Sequence, residues 1–147
     1  MIVEIDNTRK EMAQEIRNIF QASYAVEAQI LKAIDFPPLK RTISQFLQSD
    51  SKFYAYYINQ DVAGLIEINN NQQTIHIQSL VVYPKCFRKG IAKELVCFVF
   101  EKYDPMRFSV ETGVDNYPAI KLYISLGFRE QKQWDTDYGV RKIRFKK

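Results

Sequence analysis

The alternation of apolar and polar residues along the chain predicts seven β-strands. They are expected at residues 2–5, 52–58, 62–68, 74–82, 107–112, 128–134 and 140–145, with polar turns at 59–61 and 69–73. The three strands between residues 52 and 82 follow one another through short turns, as in an antiparallel meander. The last two strands are separated only by the polar stretch 135–139, which predicts a closing hairpin.

Helical periodicity follows the first strand and returns between the later strands. Thr8 and Glu11 have the spacing of a capping box, and the apolar residues after them recur on one helical face: Met12, Ile16, Ile19 and Phe20. A short helix is predicted at about 42–48. A longer one begins near Ile91 and is expected to end at Asp104 and Pro105. Because it joins strands 74–82 and 107–112, these two strands are expected to pair in parallel.

The junction between strand 74–82 and the helix at Ile91 carries the most specific local pattern. Pro84 ends the strand, and the loop that follows is basic and contains Gly90. The unpaired amides of the first helical turn, at about 87–92, are expected to point at this loop with Arg88 and Lys89 beside them. Free N–H donors at the positive end of a helix predict an anion-binding cradle. The alternative is an ordinary strand-to-helix connection with solvated cations.

Composition limits the class of protein. With 147 residues, 46% hydrophobic and 26% charged, the chain is expected to form one globular domain over 1–147. It begins without the features of a secretory signal and has no apolar run of about 18 residues, which favours a cytoplasmic protein with no membrane segment. The two cysteines lack the spacing of zinc or redox sites, so no metal is expected. The net charge of +4 suits a polyanionic cofactor. Nucleic acid is not expected as a partner, because the basic residues of the last strand alternate with apolar ones.

Two motifs, in this order, resemble the GNAT superfamily of N-acetyltransferases. The first is Val82-x-Pro84 followed by Arg88-Lys89-Gly90-Ile91-Ala92, which is similar to the family's pyrophosphate loop, V-x-P-x-x-[Q/R]-x-x-G-x-[G/A]. Phe87 departs from it, standing where Gln or Arg is usual. The second is Asn116-x-x-Ala119-x-x-Leu122-Tyr123-x-x-x-Gly127-Phe128, a helix in which Asn116 suits a capping position, Pro118 the first turn and Gly127 the left-handed end.

The resemblance implies an α+β GNAT fold and an acetyl-CoA-dependent N-acetyltransferase. The fold is a mixed, mostly antiparallel sheet of about seven strands with helices on both faces, splayed between strands 4 and 5. Acetyl-CoA would be the co-substrate and would transfer its acetyl group to a primary amine in a ternary complex. The residues implied to contact it are Leu80 and Val82 through their backbone, where the family has a bulge, then Phe87, Arg88, Lys89, Gly90, Ile91, Ala92, Asn116 and Tyr123.

Acetyl transfer to an amine requires a proton acceptor and a donor for the leaving thiolate. Tyr123 occupies the position of the family's acid, although it also lies on an apolar helix face and could serve packing alone. His76 is a candidate base, because its unperturbed pKa of about 6.5 suits proton transfer near neutrality. Glu67 and Glu111 are alternatives, and an ordered water is another.

The acceptor is expected to be a small-molecule or peptide amine, bound by a monomer or homodimer. Its identity is open, because the stretch from residue 24 to 48 carries no motif, and Tyr24, Glu27, Asp35 and Phe36 are candidates by location only. A non-catalytic acyl-CoA sensor or interaction module with the same fold is the alternative function. The presence of Tyr123 favours the enzyme.

Overall fold

In the structure, a computed structural model that describes residues 1–104 and 106–147, seven strands form one mixed sheet. The strands are β1 (Ile2–Ile5), β2 (Lys52–Ile58), β3 (Asp61–Asn71), β4 (Thr74–Val82), β5 (Arg107–Gly113), β6 (Arg129–Asp135) and β7 (Arg141–Lys146). Their order across the sheet is β1-β2-β3-β4-β5-β7-β6. The β4–β5 pair is parallel, and every other neighbouring pair is antiparallel. The predicted fold class is confirmed.

Helices cover both faces of the sheet. They are α1 (Lys10–Leu31), α2 (Ile43–Gln48), α3 (Ile91–Lys102) and α4 (Tyr117–Ser125). Buried residues such as Phe20, Phe46 and Leu65 form the core under α1 and α2. A second core, which includes Leu95 and Phe145, lies under α3 and α4. Within the described ranges, no helix is both long and apolar enough to cross a membrane.

The start of α1 differs from the prediction. Thr8 does not form the expected capping box, because its amide and hydroxyl both donate to the carboxylate of Asp6. The helix therefore begins at Lys10 after Arg9, without a side-chain cap. It also continues to Leu31, although helical periodicity in the sequence is weak after Tyr24. The capping box that does form begins α2, where the hydroxyl of Thr42 accepts from the amide of Gln45.

The turn after β3 and the end of α3 also differ from their predicted positions. The turn predicted at 69–73 is shorter, because β3 extends to Asn71 and the reversal is made at Gln72, which has a φ of 49°. The third helix was expected to end at Asp104 and Pro105. It ends at Lys102, and Pro105 lies outside the described residues.

β4 and β5 pair only along their first halves. The parallel ladder joins Thr74 to Arg107 and ends with Ile77 opposite Val110. Residues 78–82 of β4 and 111–113 of β5 continue as strands without pairing to each other. The sheet is therefore splayed between its fourth and fifth strands, as predicted, and a gap with unpaired backbone edges opens there.

A bulge precedes the gap. In the β3–β4 ladder Ile68 pairs with Ile77 and Glu67 pairs with Ser79, so Gln78 is an extra residue on β4. The bulge expected near Leu80 to Val82 thus lies earlier in the strand. One extra residue reverses the alternation of side chains. Consequently Ile77 faces the α3 side of the sheet, whereas Val81 packs under α1.

Candidate active site

The loop from β4 to α3 presents a row of unpaired backbone amides. The amide of Phe87 is used in a 3₁₀ turn, where it donates to the carbonyl of Pro84 at 3.2 Å. The first helical bond of α3 runs from the amide of Glu94 to the carbonyl of Gly90 at 3.1 Å. Between them, the amides of residues 88–93 have no backbone acceptor among the described residues. The predicted row, 87–92, is therefore shifted by one residue, and Phe87 is not a free donor.

The surroundings of these amides suit a phosphate group. Gly90 has a φ of 76°, and a β-carbon there would meet no atom within 4 Å, so the space beside it is open. Arg88 and Lys89 are exposed, and neither forms a salt bridge with any residue that the structure describes. Free amides, the positive end of α3 and two uncommitted cations together fit a diphosphate.

The position of this cradle depends on Gly64 in β3. A β-carbon at Gly64 would lie 2.6 Å from Cγ2 of Ile91 and 3.2 Å from Cδ1 of Leu95. The missing side chain lets the first turn of α3 lie directly on the sheet. The cradle is thereby held at the end of β4, beside the gap.

Two amides of β4 face the gap. The amide of Tyr83 donates to the carbonyl of Ala63 in β3 at 3.0 Å, whereas that of Val82 donates to Oγ of Ser23 in α1 at 3.4 Å. Because amides alternate in direction along a strand, the amide of Leu80 points the same way as that of Val82. Both predicted backbone contacts therefore lie on the edge that β5 leaves unpaired.

Tyr123 lies on the buried side of α4. It is 4% exposed, and its ring packs against Phe128 and Phe145 with centroid distances of 5.6 and 6.1 Å. Burial, together with the charge of Glu27, raises the pKa of Tyr123 well above its usual value. The phenol therefore stays protonated at neutral pH. The ring serves core packing, while the hydroxyl keeps a proton to donate.

Asn116 links α4 to α1. Its Oδ1 accepts from the amide of Ala119 at 3.4 Å, which confirms the predicted helix cap. Its Nδ2 donates to Oε1 of Glu27 at 2.6 Å and to Oγ1 of Thr112 at 3.2 Å. Asn116 is itself 8% exposed, so its side chain is committed to protein partners.

Glu27 also belongs to this site. The sequence named it as a candidate only because it lies in the stretch 24–48, and predicted no role for it. Burial raises its pKa to about 7, although the charge of Lys142 and the hydrogen bond from Asn116 oppose the shift. No sequence motif could have singled out this glutamate, because its partners lie in β7 and at the start of α4.

Glu67 is part of a buried ion pair. It is 1% exposed, and its two oxygens accept from the guanidinium of Arg41 at 2.7 Å each. The hydroxyls of Ser51 and Ser79 also donate to it. Arg41, which the sequence analysis did not single out, lies with its guanidinium carbon 4.5 Å from the centroid of the Phe46 ring. A carboxylate with four donors has no open oxygen for an amine.

His76 and Glu111 lie on the α1 side of the sheet, next to the gap. Nδ1 of His76 lies 2.7 Å from Oγ of Ser109, and burial lowers its pKa although Glu111 opposes the shift. Burial alone would raise the pKa of Glu111, but Arg144, which donates from Nε at 2.8 Å, and Lys142, whose Nζ lies 3.6 Å away, hold it below its usual range. In the part of the chain that the structure covers, no group of three or more His, Cys, Asp or Glu could hold a metal ion.

Comparison with known proteins identifies the family of the chain. The model of the acetyltransferase (GNAT) family matches residues 13–128. That stretch includes the cradle, both edges of the gap and Tyr123. The chain belongs to the GNAT acetyltransferase family, as its two motifs predicted.

Two curated proteins are similar to this chain in sequence, one over nearly all of it and the other over about half. UPF0157 protein YqkA of Bacillus subtilis is 30% identical over 141 residues, which are 95% of this chain and 41% of that protein. Streptothricin acetyltransferase of Escherichia coli is 33% identical over 84 residues, which are 54% of this chain and 48% of that protein. The matches thus span less than half the length of these curated relatives. The crystal structure of PaiA N-acetyltransferase from Thermoplasma acidophilum in complex with coenzyme A has the same fold, with a TM-score of 0.75, 15% identity and coverage of 100% of this chain and 99% of that one.

Proposed function

We propose that the protein transfers an acetyl group from acetyl-CoA to a primary amine by direct attack in a ternary complex. The observation that carries the proposal is the row of free amides at residues 88–93 beside the gap between β4 and β5. Membership of the GNAT family and the coenzyme A complex of a structural neighbour support the same co-substrate.

The cradle and the gap divide the binding of acetyl-CoA between them. The amides of 88–93 would hold the pyrophosphate, with Arg88 and Lys89 neutralising its charge. The amides of Leu80 and Val82 would bind the pantetheine arm and the thioester carbonyl, and the long 3.4 Å bond from Val82 to Ser23 would be given up. When bound, acetyl-CoA supplies the electrophilic carbonyl carbon that an amine attacks.

Tyr123 acts on the leaving group in this proposal. Its raised pKa makes complete transfer of its proton to a thiolate unfavourable, since a free thiol has a pKa of only about 8.5. The phenol therefore stabilises the developing thiolate by donating a hydrogen bond, and the proton that ends on sulfur comes from the attacking nitrogen.

The acceptor would enter from the α1 side of the sheet. There the chain after α1 meets the β6–β7 loop: the amide of Ile34 donates to the carbonyl of Tyr138 at 2.9 Å, and Phe36 stacks edge-on with Tyr138 at 6.0 Å. These contacts form a wall beside the gap. One relative is named a streptothricin acetyltransferase, so streptothricin belongs among the first amines to be tested.

The test is thiol release from acetyl-CoA in the presence of single amines. The set would include streptothricin, spermidine, tyramine, lysine and a peptide with a free N-terminal alanine. Turnover with at least one amine is expected. Tight binding of coenzyme A without turnover on any of them would instead indicate a non-catalytic binding module. Absence of coenzyme A binding would refute both functions.

A further inference from the structure

Amine acetylation needs a group that accepts a proton from the acceptor, because an alkyl ammonium with a pKa of about 10.4 is mostly protonated at neutral pH. Two carboxylates near the gap, Glu67 and Glu111, are engaged by arginine. Nδ1 of His76 is already hydrogen-bonded to Oγ of Ser109. Glu27 differs from both carboxylates, because it forms no salt bridge within the ranges that the structure describes.

We infer that Glu27 is the base that removes a proton from the acceptor ammonium, directly or through one water, and that Asn116 is the residue that positions it. The inference rests on the proposed function. It assigns acid–base chemistry to the acceptor-side helix α1, and joins that helix to the motif helix α4 through one hydrogen bond.

The packing of α1 places Glu27 beside the gap. Tyr24, one turn earlier on the same helix, is buried in the core under α1. Leu31, one turn later, packs on the end of β5, where a β-carbon at Gly113 would lie 2.5 Å from its Cδ2. Glu27, between these two anchors, therefore faces the splayed ends of the strands.

The hydrogen bonds of Glu27 leave one oxygen available. Oε1 accepts from Nδ2 of Asn116 at 2.6 Å, and Asn116 is in turn held by Thr112 and by its capping bond to Ala119. Oε2 has no hydrogen-bond partner among the described residues, and the side chain is only partly buried. A carboxylate with one anchored and one open oxygen is suited to accept a proton from a bound ligand.

The charges around Glu27 match this role. Lys142 faces it from β7 and favours the ionised form, whereas the nearby phenols, Tyr24 on α1 and Tyr123 on α4, are neutral. Burial outweighs Lys142 and Asn116, and raises the pKa of Glu27 to about 7. Near neutral pH the carboxylate is therefore partly ionised, and it is basic enough to take up a proton.

In the proposed step, protons and electron pairs move between the amine, the thioester and Glu27. The ammonium passes one proton to Glu27, and the lone pair of the neutral amine forms a C–N bond to the thioester carbonyl carbon. The C–S bond then breaks, and its electron pair goes to the sulfur, which accepts a hydrogen bond from Tyr123. A second proton moves from nitrogen to sulfur, and Glu27 releases its proton to solvent. Ammonium and thioester thus become amide, thiol and one free proton.

The first test does not depend on activity. The carboxyl carbon of Glu27 would be followed by ¹³C NMR during a pH titration, with its signal assigned by loss in Glu27→Gln. A midpoint near neutrality is expected, and Asn116→Ala should move it upward, because a hydrogen bond to the charged form is lost. A midpoint near the ordinary glutamate value of about 4.3 would overturn the inference.

The second test uses an amine that the wild type acetylates. Glu27→Gln should lower kcat/KM at pH 7 by about 10²- to 10⁴-fold and remove the rise in rate near pH 7, while Glu27→Asp should keep that rise. Coenzyme A affinity should stay unchanged in both variants, which shows that they fold. Glu11→Gln, an exposed change on the same helix, is the matched control.

The outcomes separate the two proposals. If Glu27→Gln keeps the wild-type rate and pH profile, the assignment of Glu27 is wrong and the acetyltransferase function stands. If the wild type turns over none of the amines, both are overturned.

Discussion

Replacement of Arg41 by alanine should destabilise the fold more than any exposed ion-pair change. Glu67, its partner, is 1% exposed and accepts two 2.7 Å hydrogen bonds from the guanidinium. Arg41→Ala leaves the carboxylate in the core with only the hydroxyls of Ser51 and Ser79 as donors. The loss is large because the desolvation of Glu67 is no longer offset by an opposite charge.

The magnitude follows from the burial of both partners. The pair has side-chain exposures of 22% and 1%, so it lies near the buried limit, where removal of one partner costs about 3–5 kcal/mol. A domain of this size typically has a free energy of unfolding of about 5–15 kcal/mol. At about 2–4 °C per kcal/mol, the melting temperature should fall by about 6–20 °C.

Urea denaturation followed by far-UV circular dichroism at pH 7 would measure the change. Arg141→Ala is the matched control, because its ion pair with Asp135 has exposures of 46% and 81% and is worth about 1 kcal/mol or less. The double variant Arg41→Ala with Glu67→Gln should recover part of the loss, since the orphaned charge is removed. If Arg41→Ala stays within about 1 kcal/mol of the wild type, the pair does not hold Glu67 in the core and a role for Glu67 as base would reopen.

Three further changes test the site and its charges. Tyr123→Phe should lower kcat by about 10²-fold or more with little effect on coenzyme A affinity, and an unchanged kcat in steady-state assays would remove Tyr123 from the reaction. Gly90→Glu should abolish coenzyme A binding in calorimetry, because a carboxylate would enter the cradle. Gly139→Glu is the matched control, because Gly139 has a φ of 77° and Gly90 a φ of 76°, so both changes add the same charge at a similar backbone cost. The Gly139→Glu variant should bind coenzyme A normally. Equal losses of coenzyme A affinity in both variants would contradict the assignment of the cradle. Glu111 has a lowered pKa, so its stabilising effect is present above about pH 4.3 and is lost as the pH falls through the folded-state pKa. The stability gap between wild type and Glu111→Gln should therefore narrow as the pH falls from 7 to 3 in urea titrations, and a gap that stays constant or widens over this range would rule out the linkage.

Local patterns predicted much of the scaffold. Strands 52–58 and 74–82 have the observed boundaries, because alternation and the flanking turns are encoded by adjacent residues. The α4 helix was equally readable: Asn116 caps it, and Gly127 adopts a φ of 95° just past its end.

Local patterns failed where a competing partner was available. Thr8 has the spacing of a capping box, but its amide and hydroxyl donate to the carboxylate of Asp6 instead. The amide of Phe87 was predicted to be unpaired because it precedes α3, yet it donates to the carbonyl of Pro84 in a 3₁₀ turn. The bulge at Gln78 depends on the register of β3 against β4, which the sequence of either strand alone does not specify.

The amino-acid sequence was sufficient to identify the family and to locate the cradle, because amides, glycine and cations act within a few consecutive residues at the start of α3. The proposed proton acceptor, unlike Tyr123, could be located only with the tertiary structure. Glu27 and Asn116 are 89 residues apart, and Arg41 and Glu67 are 26 apart. Which carboxylate is neutralised by arginine and which keeps an open oxygen depends on how α1 packs across the sheet, and therefore on contacts between residues that are distant in the chain.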